Sequence, residues 1–246
     1  MRRPTFVLTG AIAAIAFAIP LGGPANATTG SSYEVTITNL IAGQPLTPPA
    51  VATTRGSVNV FTVGARASSG VQQIAENGNP APLIETLEDT PGVSQALVTG
   101  TGPLVLPSVP GGATFDGSVT FTITAGSGAR FLSWVSMLIC TNDGFTGVNR
   151  LRLPASVGGT ASVSTFAYDA GTEIDTEDFA DIVPPCQALV GVTSSDPGTA
   201  TTNPALAEGD VIHHHQGIKG IADLVPEIHG WDVDQPVATI EVTRVS

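Results

Sequence analysis

The chain has 246 residues, with 9 Lys and Arg against 21 Asp and Glu and a formal net charge of −12. So few cations leave little charge with which to release counterions, which argues against nucleic acid or an anionic lipid surface as partner and makes divalent cations the natural ligands. A charged fraction of only 12%, with 28 Gly and 19 Pro, favours strands and turns over helices.

Met1-Arg2-Arg3 is a basic start, Phe6 to Pro20 is largely apolar, and Ala25-Asn26-Ala27 is a small-x-small site. Together they read as a signal peptide over residues 1–27, cleaved near Ala27, so the protein is expected outside the cell or in the cell envelope. Pro20 and Gly22 interrupt the apolar run short of the roughly twenty residues a membrane span needs, so no transmembrane anchor is expected in the mature chain. Losing Arg2 and Arg3 deepens the net charge from −12 to −14. Residues 28–246 contain no evident linker and suit a single large all-β domain.

Tyr33, Val35 and Ile37 alternate with polar residues, which predicts a half-buried first strand, and Ser57 to Val63 repeats the pattern. Ala42 to Pro49, interrupted by three prolines, reads as a loop. From Ser69 the period changes. Ser69 is placed to cap a short helix carrying Val71, Ile74 and Ala75, Gly78 to end it, and Pro82 to open a second with Leu83, Ile84 and Leu87. Both are expected to cover one opening of the fold. Gln95–Thr99, Ser118–Ala125, Ala161–Ala167 and Val237–Val245 read as further strands, and the apolar run Phe131–Cys140 as a central strand covered on both faces. Eight or so strands with one or two short helices predict an antiparallel β-sandwich.

Two acidic loops stand where strands end: Cys140 to Gly147, containing Asn142-Asp143-Gly144, and Tyr168 to Glu173, containing Asp169-Ala170-Gly171-Thr172. A hard cation such as calcium takes six to eight oxygens from adjustable loops, and Asp143, Asp169 and Glu173 supply carboxylates if the loops meet. Taken alone, Asp143-Gly144 is also a common turn dipeptide. An EF-hand reading of the second loop fails, since Ile174 stands where the invariant Gly belongs. Cys140 and Cys186, an even pair in an exported chain, are expected to form a disulfide, with buried reduced thiols as the alternative. On a strand His213 and His215 would share a face, and with His229 they form a second candidate metal set, although no zinc spacing such as HExxH is present.

At these loops the chain resembles the spondin domain, the amino-terminal domain of the F-spondins and mindins. The likeness rests on Asn142-Asp143-Gly144-Phe145-Thr146-Gly147, on Asp169-Ala170-Gly171-Thr172 followed by an acid, and on the upstream run Ala67-Ser68-Ser69-Gly70-Val71 with Ala75-Glu76-Asn77-Gly78, over roughly Ser32 to Pro185. The resemblance implies a sandwich like the calcium-binding, C2-like membrane-targeting modules, with calcium held by Asp143, Asp169 and Glu173. Glu173 departs from the Asp usual in the family. The implied role is non-enzymatic adhesion or binding of an extracellular protein or glycan. Two alternatives are a metal-dependent hydrolase built on His213 to His215, and a structural envelope protein. Neither a Gly-x-Ser-x-Gly elbow nor a phosphate-binding glycine loop is present.

Overall fold

The computed structural model describes residues 30–246; the expected signal peptide over residues 1–27 lies outside them. In chain order the elements are β1 (Ser31–Asn39), β2 (Ala50–Thr54), α1 (Ser69–Asn77), α2 (Ala81–Glu88), β3 (Val93–Val98), β4 (Ser118–Ala125), β5 (Phe131–Met137) and β6 (Gly144–Arg152). They continue with β7 (Thr160–Thr165), β8 (Ala167–Asp169), α3 (Pro185–Val190), β9 (His213–His214), α4 (Pro226–His229) and β10 (Ala238–Arg244). A four-stranded sheet in the order β4-β1-β10-β7 faces a six-stranded sheet in the order β3-β2-β5-β6-β8-β9, and every pairing is antiparallel. The fold is the β-sandwich expected.

The first strand behaves as its alternation predicts: Tyr33, Val35 and Ile37 are buried, and they meet Ile240 and Val242 of β10 and Leu132 and Trp134 of β5 between the sheets. Strand β5 is buried almost throughout because its other face is covered too. Val135 and Met137 point outward, where Val71, Ile74 and Ala75 of α1 and Leu83 and Leu87 of α2 pack on them together with Ala50 and Ala52 of β2. The helices thus form a third layer on the outer face of the six-stranded sheet, in place of the cap over one opening that was expected. Apolar stripes on two short helices need an apolar sheet face, and β2 and β5 supply it.

Several local expectations change. The second strand is Ala50–Thr54, and Ser57–Val63 is irregular. β2 is buried on both faces and so shows no alternation, whereas Val58, Val60 and Phe61 reach the outer core from a loop. Ser68, one residue before the expected cap, accepts from Val71 N at 3.3 Å, and Gly78 ends α1 at φ 63, a left-handed conformation that glycine adopts without strain. The expected strand Ala161–Ala167 is two strands: β7 belongs to the four-stranded sheet and β8 to the six-stranded one, with the switch at Phe166. Strand pairing resumes at Gly144, so the first acidic loop is a tight turn and not an open loop through Gly147.

Cys140 and Cys186 are joined, with Cα atoms 5.1 Å apart, tying the end of β5 to α3. Gln44, fully buried, reinforces the same turn: its Oε1 accepts from Cys140 N at 2.9 Å, and its Nε2 donates to Cys140 O and His229 O at 3.0 and 2.8 Å. Among the described residues no helix is long and apolar enough to cross a membrane.

The disulfide closes a loop spanning 46 residues, for which chain-entropy reasoning gives about 4 kcal/mol. A Cys140→Ser, Cys186→Ser double variant is expected to lose stability of that order, read as a lowered urea midpoint with the slope little changed.

Candidate metal centre

The β5–β6 turn is shaped by Thr141, whose Oγ1 donates to Leu138 O at 2.7 Å and accepts from Gly144 N at 2.9 Å. Asn142 then reaches across to the segment after β8: its Nδ2 donates to Thr176 Oγ1 at 3.0 Å and its Oδ1 accepts from Glu177 N at 3.3 Å. Asp143, with no exposed surface, makes the closest tie. Its Oδ2 accepts from Thr172 N at 2.7 Å, Thr172 Oγ1 at 3.0 Å and Glu173 N at 3.0 Å. Its Oδ1 has no hydrogen-bond partner. The two acidic loops therefore meet.

Asp169 is brought there by pairing: β8 runs beside β6 with Asp169 opposite Gly144, and β9 runs beside β8 with His213 opposite Asp169. Asp169 Oδ1 accepts from Gly171 N at 2.7 Å, and Oδ2 lies 3.7 Å from His213 Nε2. The third acid at this place is Asp175, absent from the sequence-based set. Its Oδ1 lies 3.8 Å from His215 Nε2, and ligand atoms of Asp169, Asp175 and His215 all fall within 4.8 Å of one another. Glu173 turns elsewhere. It bridges to Ala207 through its backbone and its Oε1 accepts from Asn203 N at 2.9 Å, which places its charge near Glu76 and Asp181.

Electrostatics follow from this crowding. Burial, then the charge of Asp169, pushes the Asp143 carboxyl up to about 8, against the lowering effect of the Glu173 and Thr172 amides. Asp169 is raised by burial and, further down, by Asp175; Asp175 is raised by burial, with Lys219 pulling it back. Glu173 is raised to about 7, chiefly by burial. Among the described residues no Lys or Arg nitrogen lies within 4.0 Å of a carboxylate, so apart from the more distant Lys219 these acids are left to one another and to histidine. Such a cluster is costly in a low-dielectric setting unless protons or a cation neutralise it.

His213 and His215 both face Asp169, as their alternation implied, but His229 does not join them. It is buried against Phe179, with ring centroids 5.7 Å apart, and its Nδ1 engages the backbone of Val225. The three histidines thus do not form a metal set. A strand end and a helix turn place them in different packing environments. The ring of His215 is also informative. Gly217 N donates to its Nδ1 at 3.0 Å, so a neutral imidazole carries its proton on Nε2, which is buried without a hydrogen-bond partner 3.8 Å from Asp175 Oδ1. Burial lowers this histidine to about 4, so it is neutral at pH 7. A second trio, Asp178, Asp196 and Asp223, is less buried, and its oxygens already accept from Ala180 N, Ser194 Oγ and Phe179 N.

In metal-free protein the raised carboxyls hold protons in the native state that the unfolded chain has already released. Unfolding then releases protons, and stability falls as pH rises toward about 8. His215 acts in the opposite sense only between about 4 and its ordinary 6.5. Between pH 6.5 and 8 chelated protein is therefore expected to lose up to about 2 kcal/mol. Asp143→Asn, which has no charge to bury, should remove most of that slope. Denaturant melts at several pH values in chelator make the comparison.

Comparison with protein-family models and with curated proteins returns no match, so the likeness to the spondin domain rests on the motifs quoted above.

Proposed function

We propose that this chain is an exported, non-enzymatic binding module in which a hard divalent cation, calcium in the first instance, joins the β5–β6 turn to the segment after β8. Asp143 Oδ1, Asp169 and Asp175 are the protein ligands, with the neutral His215 ring packed beside Asp175. The observations that carry this reading are the trio Asp169, Asp175 and His215, whose ligand atoms lie within 4.8 Å of one another, and the buried Asp143 Oδ1 nearby, which nothing satisfies. Oxygen donors in flexible numbers suit calcium, and magnesium is disfavoured by its demand for regular octahedral geometry.

The donor set favours binding over hydrolysis. Asp143, Asp169 and His215 are all buried, and structural metal sites are closed whereas catalytic ones keep an open position. A neutral imidazole whose free-lone-pair nitrogen is already occupied by Gly217 N is poorly disposed to bind zinc. The cation would neutralise the crowded acids and order the loops, and those loops shape the surface offered to an extracellular protein or glycan. Export is supported by the disulfide together with the basic-apolar start of the sequence.

Calorimetric titration with calcium, magnesium and zinc tests the assignment. Calcium is expected to bind with a matching rise in melting temperature, since a ligand of the native state stabilises it. Asp169→Asn and Asp175→Asn should each weaken it by about tenfold or more, and Glu173→Gln should leave it nearly unchanged. Zinc binding that is lost in His213→Ala and His215→Ala would instead support the hydrolase reading. A melting temperature indifferent to all three ions would support a structural envelope protein.

A further inference from the structure

The described residues contain seven of the chain's nine basic side chains, and three of them, Arg130, Arg152 and Arg244, line one cavity of about 410 Å³. It opens at the end of the sandwich where β4 and β10 finish and β5 begins, with Ser31, Tyr33 and the Gly126–Ala129 turn completing its wall. The proposed cation site sits at the other end of β5, beyond Met137, a strand length of roughly 20 Å away. The two sites are independent in position and in charge.

In a chain this acidic, arginines are expected to be absorbed by neighbouring carboxylates. Here no Asp or Glu lines the cavity, and among the described residues no arginine is ion-paired. Arg130 and Arg152 are exposed and make no side-chain hydrogen bond to the protein, so both guanidinium groups keep their donors available. Arg244 is partly used: its Nε donates to Ser246 O at 2.8 Å, and its Nη1 donates to Ala155 O, which fixes it at the cavity wall. Register explains the gathering. Leu153 N donates to Arg130 O at 2.9 Å, Phe131 faces Arg152, and Tyr33 faces Arg244, so three distant arginines arrive at one strand-end layer. Tyr33, buried, lines the cavity and donates its hydroxyl to Pro154 O at 3.3 Å.

We infer that this cavity is a binding site for a tetrahedral oxyanion, sulfate or phosphate, either free or carried on a sugar. Guanidinium groups present paired donors in a rigid plane that matches such oxygens, and two uncommitted arginines beside a third fixed one supply them from more than one side. The volume exceeds that of a bare anion and leaves room for a sugar ring bearing it.

The test is titration of the purified protein with sodium sulfate, sodium phosphate and a sulfated disaccharide, followed by amide NMR shifts at constant ionic strength. Saturable shifts confined to residues 125–130, 152–155 and the Arg244 end of β10 are expected, with affinity falling about tenfold or more in Arg130→Gln, Arg152→Gln protein. Arg66→Gln, a charge change away from the cavity, should leave binding intact. Stronger binding of the disaccharide would assign the anion to a glycan, and equal binding would assign it to the free ion. Absence of saturable shifts with all three probes, or unchanged affinity in the double variant, overturns the inference. Repeating the titration in chelator separates it from the calcium proposal, because an anion site at the far end of β5 does not depend on the cation.

Discussion

The contact on which this end of the molecule depends is the Asp143 carboxyl group buried beneath the amides of Thr172 and Glu173. By accepting three donors on one oxygen, this carboxyl fixes the distance between the β5–β6 turn and the chain after β8. Only one of its oxygens is used. The other is sealed without a partner, next to the charge of Asp169, so the same contact that positions the loops also leaves an unmet demand for positive charge. Proximity and electrostatic need arise together from one residue.

Rigid surroundings keep that demand from relaxing. The disulfide begins at the residue where the turn starts, Gln44 satisfies both backbone groups of Cys140, and Thr141 closes the turn on itself. Gly147, four residues past Asp143, is needed because any side chain there would meet Trp134 O at 2.1 Å. Strand β5 is held in turn between the opposing sheet and the helical layer. A site supported in this way would pay little conformational entropy on binding a ligand, because its side chains are already held in place.

Charge is also sorted along the molecule. Between Asp169 and Asp234 the chain carries many acids and a single basic residue, Lys219, whereas the cavity at the opposite end of β5 is lined by arginine and by no acid. Long-range attraction between the ends is weak across such a separation at physiological salt. The net charge of −12 hides this division, because a sum over the chain carries no information about where the strands place each sign.

The sequence by itself determined the class of fold and much of its detail. Alternation in Tyr33–Ile37 and Ser118–Ala125, the doubly apolar run from Phe131, and the helical spacing around Ile74 each report burial that is local to one element, and each element is found. It also supplied the cysteine pair, and Asp143 with Asp169 as neighbours in the site. Tertiary structure decided what local pattern cannot encode. A strand covered on both faces, such as Ala50–Thr54, has no period to read, and the change of sheet at Phe166 leaves no mark in composition. Asp175 and Glu173 are equally acidic in sequence. Only the bridge from Glu173 to Ala207 and its hydrogen bond to Asn203 turn one carboxylate away from the centre, while Asp175 sits beside His215 and Asp169. The arginine cavity was invisible for the same reason: its residues come from strands far apart in the chain, and only antiparallel register sets them side by side.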